Sequence, residues 1–106
     1  MTISERFRQI TEMAAAEADR LGECLPAELG KALRALDHGV EELQDLQEQV
    51  GEIPQIQLEG KLSPVLLKAH GDLDRARVLL ERQGFKQEGA TVWELEQLIY
   101  RLLNDL

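Results

Sequence analysis

The chain has 106 residues, 43% of them apolar, and sets 12 Lys and Arg against 20 Asp and Glu for a net charge of −8. That length suits a single domain around one core. No apolar run approaches the roughly 18–20 residues of a membrane span, no basic start leads into an apolar stretch as in a secretory signal, and a lone cysteine allows neither an internal disulfide nor a zinc cluster.

Leu, Ala, Gln and Glu dominate, all strong helix formers, and aromatics are confined to Phe7, Phe85, Trp93 and Tyr100. Thr2-Ile3-Ser4-Glu5 has the spacing of a capping box, a hydroxyl followed three residues later by a carboxylate. Apolar positions then recur at Ile3, Phe7, Ile10, Ala14 and Leu21, and with Glu17 in the same row the steps are three and four. The pattern predicts a helix over 3–21 that Gly22 ends. Pro26 suits the first turn of a second helix, where its missing N–H has no partner to lose. Leu29, Leu33, Leu36, Val40 and Leu43 form a heptad row that continues through Leu46, Val50 and Ile53. This predicts a second helix over 26–51, about 39 Å long, with Gly30 and Gly39 inside it permitting close packing or a kink. The short connection between the two makes them antiparallel neighbours.

Residues 52–62 break the helical period, with Ile56, Leu58 and Leu62 alternating loosely with polar residues as in a short extended segment. Ser63-Pro64 reads as the start of a third helix that ends at His70-Gly71. Asp72 then caps a fourth, Leu73 to Gln83, closed by Gly84. Thr91-Val92-Trp93-Glu94 has capping-box spacing again, and Val92, Leu95, Ile99, Leu102 and Leu106 form the row of the last helix. A broad apolar face of this kind is central or faces a second subunit.

The sharpest feature is acidic. Asp37, Glu41, Asp45, Glu48 and Glu52 step by four, four, three and four, and residues 37–52 contain six carboxylates and no basic group. Like charges at i,i+4 cost about 0.2–0.5 kcal/mol per pair, and Glu48 and Glu52 sit near the negative end of the helix dipole. Two arrangements answer that cost. Arg6 and Arg8, at the start of an antiparallel first helix, can reach Glu48 and Glu52. Alternatively, the strip stays free for a basic partner surface. The N-terminal half, residues 1–53, holds twelve acidic and five basic groups, whereas 54–106 is nearly balanced. Such a field repels phosphate backbones and anionic membranes, so nucleic-acid and membrane binding are disfavoured.

Two local patterns resemble known families. Leu66 to Leu80, with Gly71-Asp72-Leu73 and Ala76 between two helical stretches, resembles the opening of a helix-turn-helix of the enhancer-binding regulator type and half of a tetratricopeptide unit. The first implies DNA recognition through residues 64–103, with Val92 to Leu103 as the reading helix. That helix offers Arg101 among Glu94, Glu96 and Gln97, poor equipment for phosphate or base contact. Glu42-Leu43-Gln44-Asp45 resembles one metal-binding unit of the helical nucleotide pyrophosphohydrolases, which implies magnesium, but no second unit follows. Neither histidine, His38 or His70, stands at ligand spacing from Cys24 or a carboxylate.

The expected fold is therefore all-α in one domain, 1–106: a long acidic hairpin (1–53) with two or three shorter helices as a compact subdomain (63–106). Leucines at the far end of such a hairpin stay wet in a monomer, so a homodimer is expected. The expected function is a non-catalytic, cytoplasmic interaction module without cofactor or metal: an adaptor, chaperone or inhibitor, with nucleic-acid mimicry as a special case. Asp37, Glu41, Asp45, Glu48 and Glu52 would meet a basic partner. Trp93, if exposed, is a binding hot spot. The alternatives are the helix-turn-helix regulator and the magnesium-dependent hydrolase.

Overall fold

Thr2 opens the first helix as its spacing predicts, its Oγ1 accepting the Glu5 backbone N–H at 3.1 Å in a computed structural model that describes residues 1–106. Helix α1 runs Ile3–Cys24 and buries Phe7, Ile10, Ala14, Ala18 and Leu21 on one face. Gly22 does not end it; the Leu25 N–H closes the last turn on the Leu21 carbonyl at 2.9 Å. Pro26 then starts a single 3₁₀ turn, Ala27–Leu29, and helix α2 runs Gly30–Gln47. A second 3₁₀ turn, Val50–Glu52, follows. The helix expected over 26–51 is thus an α-helix with a tight turn at each end, and Gly30 is its first residue rather than an interior one.

The largest departure follows. Helix α3 runs without interruption over Gln55–Arg82, 28 residues, with Pro64 inside it. The extended segment expected at 52–62, the helix start at Ser63-Pro64 and the turn at Gly71-Asp72 do not exist. Asp72 is a buried residue in mid-helix, not a cap. The reason lies in the apolar row Leu58, Leu62, Leu66, Ala69, Leu73, Ala76 and Leu80, which steps by three and four straight through both expected breaks and is buried throughout. An interior proline costs about 3 kcal/mol and a glycine about 1 kcal/mol. Burying one leucine side chain contributes about 1.5–3 kcal/mol, so the row outweighs both. Pro64 and Gly60 also lie on the exposed side, so the Gly60 carbonyl that proline leaves without its helical donor is open to solvent.

Gly84, with φ of 88°, ends α3. The Phe85 N–H reaches the Leu80 carbonyl at 2.9 Å and the Gly84 N–H reaches that of Glu81 at 3.1 Å, the paired bonds of a Schellman turn. Helix α4, Lys86–Asp105, follows at once. It begins at Lys86, before the start that the capping box at Thr91 predicts, and Thr91 lies inside it.

The four helices pack as a ring, α1 on α2, α2 on α3, α3 on α4 and α4 on α1, around one cluster of 22 buried apolar residues. The molecule measures 43 × 22 × 21 Å; α3 alone, at about 1.5 Å per residue, spans the long axis. Its length changes the argument for a dimer. The α2 row is covered by α3 and α1, with Leu29, Leu36, Val40 and Leu43 all buried, so no hairpin end stays wet. Close approach of α2 to α3 occurs at Gly39, where a Cβ would lie 3.2 Å from Asp72 Cβ and 3.4 Å from the Ala69 carbonyl. No helix is long and apolar enough to cross a membrane.

Two substitutions test this arrangement. Pro64→Ala restores the missing rung and should raise unfolding stability in urea by about 1–3 kcal/mol; a chain with a real break at 63–64 would lose stability instead. Gly39→Leu drives a side chain into the α2–α3 contact and should cost about 1–3 kcal/mol.

Candidate functional site

Helix α2 turns the Leu36, Val40 and Leu43 side inward. Asp37 and Glu41, one position past Leu36 and Val40, and Asp45, two positions past Leu43, therefore face solvent, and all three are exposed. Glu48 lies just past the helix and Glu52 in the 3₁₀ turn, so the face expected to continue down one helix bends at Gln47. Both are exposed as well. None of the five pairs with a cation of its own chain.

The start of α1 does lie beside the end of α2, where Ser4 Oγ donates to the Val50 carbonyl at 3.2 Å. The arginines there do not serve the strip. Arg6 reaches Asp105 of α4 at 2.7 Å, and the Arg8 guanidinium lies over Gly51. Between α1 and α2 the structure adds a residue that the reading of one helix missed. Asp19 of α1 joins Asp37, Glu41 and Gln44 around a cleft of about 230 Å³ floored by Ala15, Ala18 and Val40. The alanine run in α1 was the available signal: small side chains leave a groove, and Asp19 follows directly on Ala18. Asp45, Glu48 and Glu52 lie outside this cleft.

Other carboxylates are engaged in holding helices together. Glu42, although in the same acidic run, sits 3.6 Å from Lys68 and 3.8 Å from His38. His38 Nδ1 is 2.7 Å from Asp72 Oδ2, and Arg75 pairs with the same carboxylate. On the opposite side of α3, Arg77 binds Asp74 at 2.6 Å, Glu81 at 3.0 Å and Glu96 of α4 at 3.1 Å. His70 Nε2 stands 3.9 Å from Glu96. Thr91 Oγ1 donates to Glu17 Oε1 at 2.7 Å across the α1–α4 seam.

These settings shift protonation. Glu96 is 2% exposed; burial first, then the neighbouring Asp74 carboxyl, push it up to about 7 against the opposing pull of Arg77. Asp74 is held low by its bonds to Arg77 and Glu96 against the effect of burial. Burial pushes the Glu17 carboxyl up, but hydrogen bonds from Arg20 and Thr91 outweigh it, and the group sits below its usual value.

Trp93 is 49% exposed. It lines a separate cleft of about 420 Å³ between α4 and α1, with Met13, Glu94, Leu98 and Arg101. Glu94 and Glu96 diverge as a spacing of two on a helix requires, the first exposed and the second buried. No three His, Cys, Asp or Glu side chains converge as a metal-binding group. The turn on which the resemblance to a helix-turn-helix rests is absent, because Gly71 and Asp72 are interior to α3. Comparison with protein-family models, curated proteins and solved structures finds no match to this chain.

The raised Glu96 carboxyl gives stability a pH dependence with a definite sign. A folded value above the unfolded one means that the folded chain holds the proton more tightly. Stability from this group is complete at pH below about 4.5 and falls as pH rises to about 7. Glu96→Gln should abolish that slope and exceed the wild type at pH 8 by on the order of 1–3 kcal/mol. Parallel urea midpoints at pH 5 and pH 8 measure it, and equal slopes in both proteins would refute the assignment.

Proposed function

We propose that the protein is a non-catalytic interaction module, working as an adaptor, chaperone or inhibitor, which presents the acidic face of α2 and its border with α1 to a basic partner. The observation that carries this reading is that five carboxylates, Asp37, Glu41, Asp45, Glu48 and Glu52, follow one another along one exposed side with no cation of their own chain paired to any of them. Like charges on one helix face oppose folding, and an external cation removes that opposition.

The α1–α2 cleft suits the end of a lysine or arginine side chain. Its alanine and valine floor takes the aliphatic stem, and Asp19, Asp37 and Glu41 at the rim take the charge. Asp45, Glu48 and Glu52 extend the field beyond the cleft, which speeds and orients encounter more than it tightens the final complex. Imitation of a phosphate backbone, directed at a nucleic-acid-handling protein, is the special case in which the partner's basic surface already exists for another ligand. The reading includes a homodimer, whose interface lies elsewhere on the molecule.

The test is affinity capture followed by elution in rising salt. Wild-type protein should retain a basic partner that salt releases, and reversing Glu41 and Asp45 to Lys should slow association with it roughly tenfold at low ionic strength. If the double reversal retains the same partner with the same salt sensitivity, the strip is a solvated helix face and the proposal fails.

A further inference from the structure

The solvent-facing side of α4 is neither acidic nor bland. Trp93 and Tyr100 are 49% and 54% exposed, and Met13 of α1, which shares a cleft with Trp93, is 43% exposed. Large apolar side chains grouped on one side of a small protein mark a contact surface more often than chance exposure does. The cleft behind Trp93 continues along the α1–α4 seam, since Met13, Leu98 and Arg101 line both it and a second hollow of about 420 Å³ next to it.

The order of side chains on this face identifies what fits it. Gln97 stands at its centre. Trp93 and Glu94 lie four and three residues before it, and Tyr100 and Arg101 lie three and four residues after it. Glu94 and Arg101 have no ion-pair partner in their own chain. At two turns, about 10.5 Å apart, they are too distant for a direct contact with one another. An antiparallel copy of the same helix, related by a two-fold axis at Gln97, reverses this order. Each Trp93 then faces Arg101 of the other copy, and each Glu94 faces Tyr100 and Arg101. Aromatic meets cation and carboxylate meets phenol and guanidinium, twice over. The face is self-complementary, which is the property an isologous interface requires.

We infer that the α4 face centred on Gln97 is the interface of a symmetric homodimer, with Trp93 of each copy stacked on Arg101 of the other and seated at the mouth of its Met13–Leu98 cleft. This gives the dimer in the proposed function a location and rests on that part of the reading only. The acidic strip lies on α2, at the opposite corner of the ring, and stays free in both copies. A tryptophan–guanidinium stack at a desolvated centre is the kind of contact that dominates an interface of modest size.

Trp93 is the only tryptophan, so its fluorescence reports on this face alone. Sedimentation equilibrium and emission spectra are recorded from low-micromolar to submillimolar protein, with helicity followed by circular dichroism. The expected result is a concentration-dependent rise to twice the chain mass, with a parallel blue shift of Trp93. Arg101→Glu should weaken dimerisation about tenfold or more, since Glu94 would then face a carboxylate. Adding Glu94→Arg to it should restore most of the loss, an outcome that damage to the fold cannot produce. A chain that stays monomeric throughout overturns both the interface and the dimeric part of the proposed function. A dimer with an unshifted Trp93 and unaffected by these variants overturns the interface alone. The salt-elution behaviour of the acidic strip is unchanged in either case.

Discussion

Burial of one face of α3 against two neighbours at once is the constraint on which the bundle depends. Leu58, Leu62 and Leu66 lie on the proline-containing half and Leu73, Ala76 and Leu80 on the other, and every one is buried. A chain that broke at Pro64 or at Gly71 would rotate one half of the row away from the core. The exposed lower rung at Gly60 shows how the strain is accommodated, with the defect on the wet side and the unbroken row on the dry side. Because α3 spans the long axis, it sets the length over which α2 and α4 can be covered. It also places these two helices at opposite corners of the ring.

Hydrophobic burial does not choose between neighbouring registers, and polar contacts supply that choice here. Asp72 meets His38 across the α2–α3 seam at the place where Gly39 lets the backbones approach. Arg77 and Glu96 do the same for α3 and α4, and Thr91 with Glu17 and Arg6 with Asp105 for α4 and α1. A slip of one helix by a turn would take His38 from Asp72, which keeps only Arg75 of its own helix, and would leave Glu96 buried without Arg77, at a penalty of about 1–3 kcal/mol or more for an unsatisfied polar group and greater for a charge. These carboxylates act as register marks. Glu96 does so while holding a proton near neutral pH, which lowers its desolvation penalty.

The surface is divided by the same geometry. Carboxylates used to join helices cluster on the α2–α3, α3–α4 and α1–α4 seams, whereas those of residues 37–52, Glu42 excepted, are left to solvent. The exposed aromatic side chains Trp93 and Tyr100 belong to α4, diagonal to α2. Electrostatic attraction acts over about a Debye length, near 8 Å at physiological salt, and apolar contact only at touching distance. The two kinds of surface lie on opposite corners of the ring.

Local pattern alone determined that the chain is helical, which sides of α1, α2 and α4 face inward, the Thr2 cap and the stop at Gly84. Each of these depends on residues within a turn or two of one another, and 3.6-residue periodicity reports them directly. It also placed Asp37, Glu41, Asp45, Glu48 and Glu52 off the apolar row, and they are exposed. Tertiary structure decided the rest. Pro64 and the Gly71-Asp72 pair carry strong local stop signals of about 1–3 kcal/mol, and only a sum of buried side chains contributed by other helices overrides them. The row through Leu58, Leu66 and Leu80 was present in the residues, but its weight depends on what covers it. Which acidic groups are paired was equally invisible, because Arg6 finds Asp105 and His38 finds Asp72 across separations of 99 and 34 residues. Distances of that kind exist only once four helices have been set side by side.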